Sequence, residues 1–218
     1  MITIYKAVIF DLDGTLLDTL GDLHAAVNHA LRTFGFPERS LDEVRRFIGN
    51  GVVKLMQRAT PEGTDKETDE KCLEAFRKYY LIHMQDMTAP YEGVIPLIEK
   101  LRSKGFKTAV VSNKFHQAVY GLCQDYFPGL IDEAIGVSVE KERKPSPVNV
   151  YKAMDKLGVK ADECIYIGDS EVDVQTAHNA GVKCIGVTWG FRDREELAEA
   201  GAEIICDDCD DILGKIVN

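Results

Sequence analysis

Residues 7–15 read Ala-Val-Ile-Phe-Asp-Leu-Asp-Gly-Thr, an apolar run that ends in two aspartates. The hydrophobicity of this run is continuous rather than alternating, which is typical of a strand buried on both faces of a parallel sheet. Side chains alternate along extended backbone, so Asp11 and Asp13 are expected to point the same way. We expect them at the carboxyl end of the strand, where open α/β sheets bind ligands. Gly14 then permits a sharp turn, and Thr15 adds a hydroxyl beside the carboxylates.

The composition is that of an ordinary globular protein, with 218 residues, 45% hydrophobic and 28% charged. This length suits one large domain or a core with a modest insertion. The net charge of −10 disfavours nucleic acid as a partner, although a few local cations or one metal would still let a site bind a small anion. No apolar run approaches the roughly 20 residues that span a bilayer, and we expect neither a signal peptide nor a membrane partner.

The six cysteines do not have the spacing of a zinc site or a disulfide framework. Cys206 and Cys209 form a Cys-x-x-Cys, but no second pair follows it, and aspartates crowd it. We therefore expect these thiols to have neither a redox nor a metal-binding role. This cysteine usage fits a reducing, cytoplasmic location.

The hydrophobic pattern divides the chain into two kinds of structure. Between about residues 20 and 85, apolar residues recur at helical spacing and predict a small all-helical unit. From Pro90 onward, predicted strands and helices alternate, which implies right-handed crossovers between parallel strands. The prediction is an α/β fold: a doubly wound parallel sheet, a Rossmann-like core formed by residues 1–16 and 89–218, with an inserted all-helical cap domain at residues 17–88.

Polar residues suited to phosphate or metal also follow the later predicted strands. The sets are Ser112-Asn113, Lys144-Pro145 and Gly168-Asp169-Ser170, with Asp173 one helical turn further on. Each alone has an ordinary explanation as a helix cap, a solvated charge or a turn. Together with Asp11 and Asp13, and in this order after the predicted strands, these residues combine a nucleophile, a proton-transfer group, a metal ligand and phosphate-binding groups. Phosphoryl transfer needs that combination.

These four motifs resemble those of the haloacid dehalogenase-like hydrolase superfamily over essentially the whole chain. They are most similar to the phosphatases that carry a helical cap between the first two motifs. Three further stretches resemble the phosphoglycolate phosphatase relatives of that superfamily: Leu16-Leu17-Asp18-Thr19, Pro90-Tyr91-Glu92-Gly93-Val94 and Val187-Thr188-Trp189-Gly190. The resemblance implies a phosphomonoester hydrolase that acts on a small phosphorylated metabolite, with 2-phosphoglycolate as the favoured substrate.

The resemblance also implies the chemistry of the reaction. Asp11 would be the nucleophile and form an aspartyl-phosphate, while Asp13 would protonate the leaving alcohol and then deprotonate water. A Mg²⁺ ion would be held by Asp11, by the backbone carbonyl of Asp13 and by Asp169.

The remaining motif residues are implied to hold the phosphoryl group. Ser112 and Lys144 would bind its oxygens, with Asn113 and the Thr15 hydroxyl nearby. Asp173 would orient either the metal ligands or Lys144.

The predicted cap is expected to close over the site and exclude water. Its backbone N–H groups at Gly49-Asn50-Gly51, between two predicted helices, could bind a substrate carboxylate. The candidate cations for the same purpose are Arg45, Arg46 and Lys54. For these three side chains, the alternative is an ordinary solvated surface charge.

Several alternative functions remain open at this point. A sugar phosphomutase of this architecture typically has a histidine five residues after the equivalent of Asp18, where this chain has Leu23, with His24 one position off. A phosphonate hydrolase would need a Schiff-base lysine, for which Lys54 is the nearest candidate.

A broad-specificity nucleotide or sugar phosphatase, a pyrophosphatase and a non-catalytic regulator are further alternatives. A dehalogenase would not need Asp13 or the metal, so the complete acidic set argues against that function. Monomer and homodimer are both compatible with the sequence.

Overall fold

The computed structural model describes residues 5–216, which fall into two compact units. The α/β unit contains the chain up to Leu17 and from Pro90 onward, and the helical unit is Asp18–Ala89. The expected cap boundaries, 17 and 88, each differ by one residue from those of the helical unit. Within the described residues, no helix has both the length and the apolar content to cross a membrane.

The α/β unit contains a six-stranded parallel sheet with the strand order β5-β4-β1-β6-β7-β8. The strands of the described chain are β1 (Ala7–Phe10), β2 (Leu17–Asp18), β3 (Ala89–Pro90), β4 (Lys107–Phe115), β5 (Glu133–Val137), β6 (Cys164–Gly168), β7 (Lys183–Val187) and β8 (Ile204–Cys206). The central strand β1 pairs Phe10 with Val110 of β4 and Ile167 of β6. The residues that follow these three positions therefore meet at one edge of the sheet.

Helices cover both faces of this sheet. Within the described residues, the helices of the α/β unit are α5 (Val94–Ser103), α6 (His116–Tyr126), α7 (Val148–Leu157), α8 (Glu171–Ala180), α9 (Arg194–Glu199) and α10 (Cys209–Ile216). The helical unit contains α1 (Leu20–Thr33), α2 (Leu41–Phe47), α3 (Gly51–Ala59) and α4 (Lys66–His83). Val8 and Phe10 belong to an apolar cluster with residues of α5, α6 and α10. Ala7 and Ile9 belong to a second cluster with residues of α7 and α8. Burial on both faces explains the continuous apolar run, and the predicted doubly wound α/β fold is confirmed.

Most element boundaries lie within one or two residues of the predicted ones, and β4 differs most. The sequence pattern predicts that this strand ends at Ser112, but it continues to Phe115. Its pairing with β5 shifts register between Val111 and Phe115. The segment from Ser112 to Phe115 is therefore extended backbone that carries polar side chains past the apolar core. At the C-terminus, the pattern predicts a helix that reaches Val217, a residue that lies outside the described residues.

The helical unit has its own core. Leu23, Val27 and Leu31 of α1 are buried, as are Phe76 and Tyr80 of α4. Polar side chains cap helices at their beginnings: Ser40 accepts from the backbone N–H of Glu43, and Asp65 from that of Thr68. The sequence pattern predicted no strand near this unit, whereas β2 and β3 pair as a separate two-stranded sheet. Strands of two residues are too short to produce a detectable alternation.

Candidate active site

Three buried aspartates meet at the carboxyl edge of the sheet. Asp11 follows β1, Asp169 follows β6, and Asp173 lies in the first turn of α8. A carboxylate oxygen from each lies within 4.8 Å of the others, and the residues are 7%, 0% and 0% exposed. The parallel strands bring the first and fourth sequence motifs together as expected, because the carboxyl ends of parallel neighbours share one edge.

Lys144 is the cation of this cluster and is almost fully buried. Its Nζ lies 2.8 Å from Asp11 Oδ1 and 2.7 Å from Asp173 Oδ1. Burial by itself would lower the pKa of Lys144, but the charges of Asp11 and Asp173 outweigh it and raise that pKa above its usual value. The amine is therefore a permanent cation within the site rather than a solvated surface charge.

Tyr166 of β6 lies against Lys144, and it belongs to none of the four sequence motifs. Its hydroxyl accepts a hydrogen bond from Lys144 Nζ at 3.3 Å, and lies 3.1 Å from Asp173 Oδ1 and 3.2 Å from the Val111 carbonyl oxygen. Burial raises the pKa of this phenol well above its ordinary value, so it stays neutral. The available signal was a tyrosine hydroxyl inside an otherwise apolar strand, since a buried hydroxyl needs a partner.

The side chain of Asp169 is held at both oxygens. The Thr15 hydroxyl donates to Oδ1 at 2.9 Å, and the Phe191 backbone N–H donates to Oδ2 at 2.7 Å. Burial and the charge of Asp173 raise the pKa of Asp169 to about 7, while the two donors partly offset this rise. Thr15, expected near the phosphoryl group, thus contacts a carboxylate of the cluster.

Asp11 has an even less favourable environment for a negative charge. Burial and the neighbouring charge of Asp173 raise its pKa well above the ordinary value, and Lys144 only partly opposes them. When all groups are ionised, three carboxylates share one ammonium, so the cluster carries two net negative charges. Carboxylate oxygens are hard ligands, and a divalent cation would neutralise this surplus. The donor set therefore fits a hard divalent metal ion.

Two glycines allow the aspartates to pack this closely. A Cβ atom on Gly14 would lie 2.3 Å from Asp169 Oδ2, and one on Gly168 would lie 2.3 Å from Asp173 Cβ. Gly14 also has a φ of 86°, a left-handed conformation that L side chains rarely adopt. Any side chain at either position would displace a carboxylate of the cluster.

The end of β4 directs its polar side chains to two sides, because side chains alternate along a strand. Asn113 holds the backbone of Lys144: its Oδ1 accepts from the Lys144 N–H at 2.7 Å, and its Nδ2 donates to the Lys144 carbonyl at 3.3 Å. Ser112 Oγ accepts from the Lys114 N–H at 3.2 Å. The Lys114 ammonium lies 2.8 Å from Asp13 Oδ1. Asn113 therefore positions Lys144, and Lys114 is a further basic residue of the site that the sequence motifs do not include.

In the stretch Gly49-Asn50-Gly51 of the helical unit, Gly49 and Asn50 lie between α2 and α3, and Gly51 is the first residue of α3. The two glycines have φ values of 125° and 80°. Asn50 Oδ1 accepts from Arg58 Nη2 at 2.6 Å, and Arg58 Nη1 donates to the Phe47 carbonyl. Arg58 is thus a cation bound to this loop, and it is not among the three candidates named from the sequence. Of those candidates, Arg46 and Lys54 are exposed and Arg45 is half-buried. The role of this loop in binding a substrate carboxylate stays a prediction.

All six cysteines are free thiols. Cys206 and Cys209 are buried, and burial raises the pKa of each thiol to about 11. Both groups are therefore protonated at neutral pH, the form that is a poor nucleophile and a poor metal ligand.

A doubly wound α/β unit with buried aspartates at its sheet edge, interrupted by a helical unit, defines a class of hydrolases. The family model for haloacid dehalogenase-like hydrolase matches residues 8–187. The chain belongs to this family, and the resemblance stated from its motifs is confirmed.

Sequence similarity to known enzymes defines the enzyme class further. The chain is 34% identical to a phosphoglycolate phosphatase of Pseudomonas savastanoi pv. phaseolicola, over 93% of this chain and 76% of that protein. It is also 34% identical to a phosphoglycolate phosphatase of Aquifex aeolicus, over 85% of this chain and 86% of the relative. The chain is accordingly a phosphatase, as predicted.

Solved structures agree in fold. A protein from Lactobacillus delbrueckii subsp. bulgaricus superposes with a TM-score of 0.93 at 38% identity, covering 98% of both chains. CbbY from Rhodobacter sphaeroides, solved in complex with phosphate, superposes with a TM-score of 0.79 at 25% identity, covering 97% of both chains.

Proposed function

We propose that this phosphatase hydrolyses the phosphomonoester of a small metabolite, 2-phosphoglycolate, through an aspartyl-phosphate and with Mg²⁺. The observation that carries this proposal is the buried cluster of Asp11, Asp169 and Asp173 around Lys144. Such a cluster costs free energy in the folded protein, because burial penalises each charge. A catalytic role accounts for its presence: the carboxylates supply the nucleophile and the ligands of a cation, and Lys144 binds the anionic phosphoryl group.

Asp11 acts as the nucleophile. One carboxylate oxygen, Oδ1, forms an ion pair with Lys144 Nζ at 2.8 Å, and the other oxygen attacks phosphorus. The new Asp11–phosphorus bond forms as the bond to the leaving alcohol breaks. Asp13 supplies the proton to that alcohol and later takes one from the water that cleaves the aspartyl-phosphate.

Mg²⁺ would be held by the carboxylates of Asp11 and Asp169 and by the backbone carbonyl of Asp13. When bound, the ion offsets the repulsion between the anionic nucleophile and the anionic phosphate. The unfavourable electrostatics at Asp11 and Asp169 support this assignment, since a pKa raised by burial and by Asp173 indicates a site short of positive charge.

The phosphoryl oxygens are bound by Lys144 and by the Ser112 hydroxyl. Lys144 carries a permanent charge at the site, and Asn113 fixes its backbone. The phosphate complex of the Rhodobacter sphaeroides relative supports the view that this fold binds a phosphoryl group.

The choice of 2-phosphoglycolate rests on the names of the relatives, which match most of this chain at 34% identity. A sugar phosphomutase is less well supported. Leu23, which occupies the position of its histidine, is buried in the helical unit. The neighbouring His24 has its Nε2 3.0 Å from both the Arg39 carbonyl oxygen and Asn28 Nδ2, so it has structural partners.

The test compares 2-phosphoglycolate with ethyl phosphate, which has a methyl group in place of the carboxylate. Binding of the remote carboxylate helps to orient the phosphoryl group, so its loss lowers kcat and raises KM. We expect 2-phosphoglycolate to exceed ethyl phosphate in kcat/KM by at least about tenfold, or roughly 1.4 kcal/mol. Equal values, or a preference for nucleotides, sugar phosphates or pyrophosphate, would reject the substrate while leaving the phosphatase class intact.

A further inference from the structure

Lys114 is a buried lysine paired with the second aspartate of the first motif. Its Nζ donates to Asp13 Oδ1 at 2.8 Å, and the two side chains are 5% and 15% exposed. The pair joins residues 101 positions apart, from the end of β4 to the turn that follows β1. Asp11 and Asp13 are thus each held by a separate lysine at the same distance, since Lys144 holds Asp11.

The position of Lys114 follows from the extension of β4. Ser112 and Lys114 are two residues apart on extended backbone, so they share one side of the strand, while Asn113 faces the other. Lysines are almost never fully buried unless they are paired, because burial removes the ammonium from water. The buried Lys114 therefore restricts the orientation of the Asp13 side chain with which it is paired.

We propose that Lys114 is a positioning residue for proton transfer by Asp13, an inference that rests on the proposed role of Asp13. Lys114 holds Oδ1, and Oδ2 carries the proton. When Asp13 is protonated on Oδ2, Oδ1 is a carbonyl oxygen and still accepts the hydrogen bond from Lys114. After the proton moves to the leaving oxygen, Oδ1 is part of a carboxylate and accepts the same bond. The contact therefore orients Asp13 in both halves of the reaction.

The leaving group distinguishes this role from a general structural one. An alkoxide such as that of ethyl phosphate needs a proton as it departs, whereas p-nitrophenolate is stable without one. We expect Lys114→Met to lower kcat/KM for ethyl phosphate at least about tenfold more than for p-nitrophenyl phosphate. Lys114→Arg keeps a charged donor and should recover most of this loss.

Lys144→Met is the matched control, because it removes an ammonium at the same distance from the other aspartate. Lys144 acts on the nucleophile and the phosphoryl group, so its loss should lower the rates with both esters to a similar extent. Thermal unfolding verifies that each variant is folded. If Lys114→Met does not fold, Lys114→Gln supports the same comparison, because it lacks the charge but keeps a polar side chain.

A double-mutant cycle completes the test. If Lys114 acts through Asp13, adding Lys114→Met to Asp13→Asn should cause little further loss with ethyl phosphate. Equal losses with the two esters for Lys114→Met, or losses that add fully to those of Asp13→Asn, would overturn the inference. Failure of Asp13→Asn itself to discriminate between the esters would instead reject the proposed role of Asp13.

Discussion

At the scale of single residues, the pKa of each charged group in the site depends on its burial and on the charges that neighbour it. Lys144 contacts two carboxylates, and Tyr166 contacts Lys144 and Asp173. The motif residues were recognisable from sequence because they are polar groups after apolar strands. Tyr166 was not, because its hydroxyl lies within the apolar layer and its partners come from other segments of the chain.

Asp11→Asn should fold and lose turnover. An amide cannot act as the nucleophile, so we expect less than about 1% of the wild-type kcat. Because burial raises the pKa of Asp11, the ionised carboxylate destabilises the folded state at neutral pH. In metal-free buffer, the variant should therefore have an unfolding free energy equal to or above that of the wild type. Denaturant unfolding and steady-state kinetics measure both effects, and turnover well above this limit in protein free of deamidation would remove Asp11 from its role.

Tyr166→Phe should lower both the stability of the protein and its kcat, without altering the charge of the site. Removing the hydroxyl leaves Lys144 and Asp173 each without one partner, so we expect a loss of about 1–2 kcal/mol in stability and a several-fold loss of kcat. Tyr151→Phe is the matched control, because its half-exposed hydroxyl donates to the Asn179 carbonyl at the surface. That control should change stability by less than about 0.5 kcal/mol. Equal effects of the two substitutions would contradict the assigned importance of Tyr166.

At the scale of elements, the carboxylate of Glu142 stabilises the segment that precedes Lys144. Glu142 closes a short 3-10 helix, Glu140–Glu142, and accepts from the Lys152 ammonium at 2.6 Å and from the Ser138 N–H at 2.9 Å. These donors lower the pKa of Glu142 to about 2. The contact ties the segment to α7 and so supports the backbone that carries Lys144.

This pairing predicts a pH-dependent contribution to stability. The pKa of Glu142 is lower in the folded state than in the unfolded chain, so the contribution is fully present above the unfolded value and is lost as pH falls toward about 2. The difference in unfolding free energy between wild type and Glu142→Gln should thus be constant near neutral pH and shrink in acid. Glu140→Gln, at an exposed glutamate paired with Arg143, is the control and should show a smaller difference. A difference for Glu142→Gln that does not vary with pH would contradict this account.

At the scale of the whole molecule, binding of the proposed metal ion to the aspartate cluster would stabilise the folded protein. When its carboxylates are ionised, the cluster carries more negative charge than Lys144 neutralises, and this arrangement is lost on unfolding. A cation that binds only the folded form stabilises it by mass action.

Mg²⁺ should therefore be required for activity and should raise the Tm. We expect EDTA to abolish turnover, Mg²⁺ to restore it and Ca²⁺ to support little, because the looser geometry of Ca²⁺ misplaces the phosphate. Asp169→Asn removes the charge of one proposed ligand and should reduce the rise in Tm on addition of Mg²⁺. Thermal unfolding with and without Mg²⁺ provides a measurement independent of catalysis. Full activity in metal-free buffer would reject the metal requirement.

The sequence by itself determined the fold class and predicted that the aspartates of the first and fourth motifs share one edge of the sheet. The cluster contains Asp173 but not Asp13, which the resemblance groups with Asp11 and Asp169. Continuous apolar runs identify parallel strands buried on both faces, and the polar residues after them share an edge because parallel strands end on the same side. For this reason the sequence predicts that Asp11 and Asp169 meet, as they do in the folded chain. The sequence also located the helices, whose apolar spacing reflects a single buried face.

Only the tertiary structure decided which residues are partners. Lys114 contacts Asp13, Lys144 contacts Asp11 and Asp173, and the Phe191 N–H contacts Asp169. These pairs depend on the strand order β4-β1-β6 and on the extra residues at the end of β4. Hydrophobic periodicity records which side of an element is buried but not which element lies beside it. The partners of buried charges are therefore set by packing between distant segments.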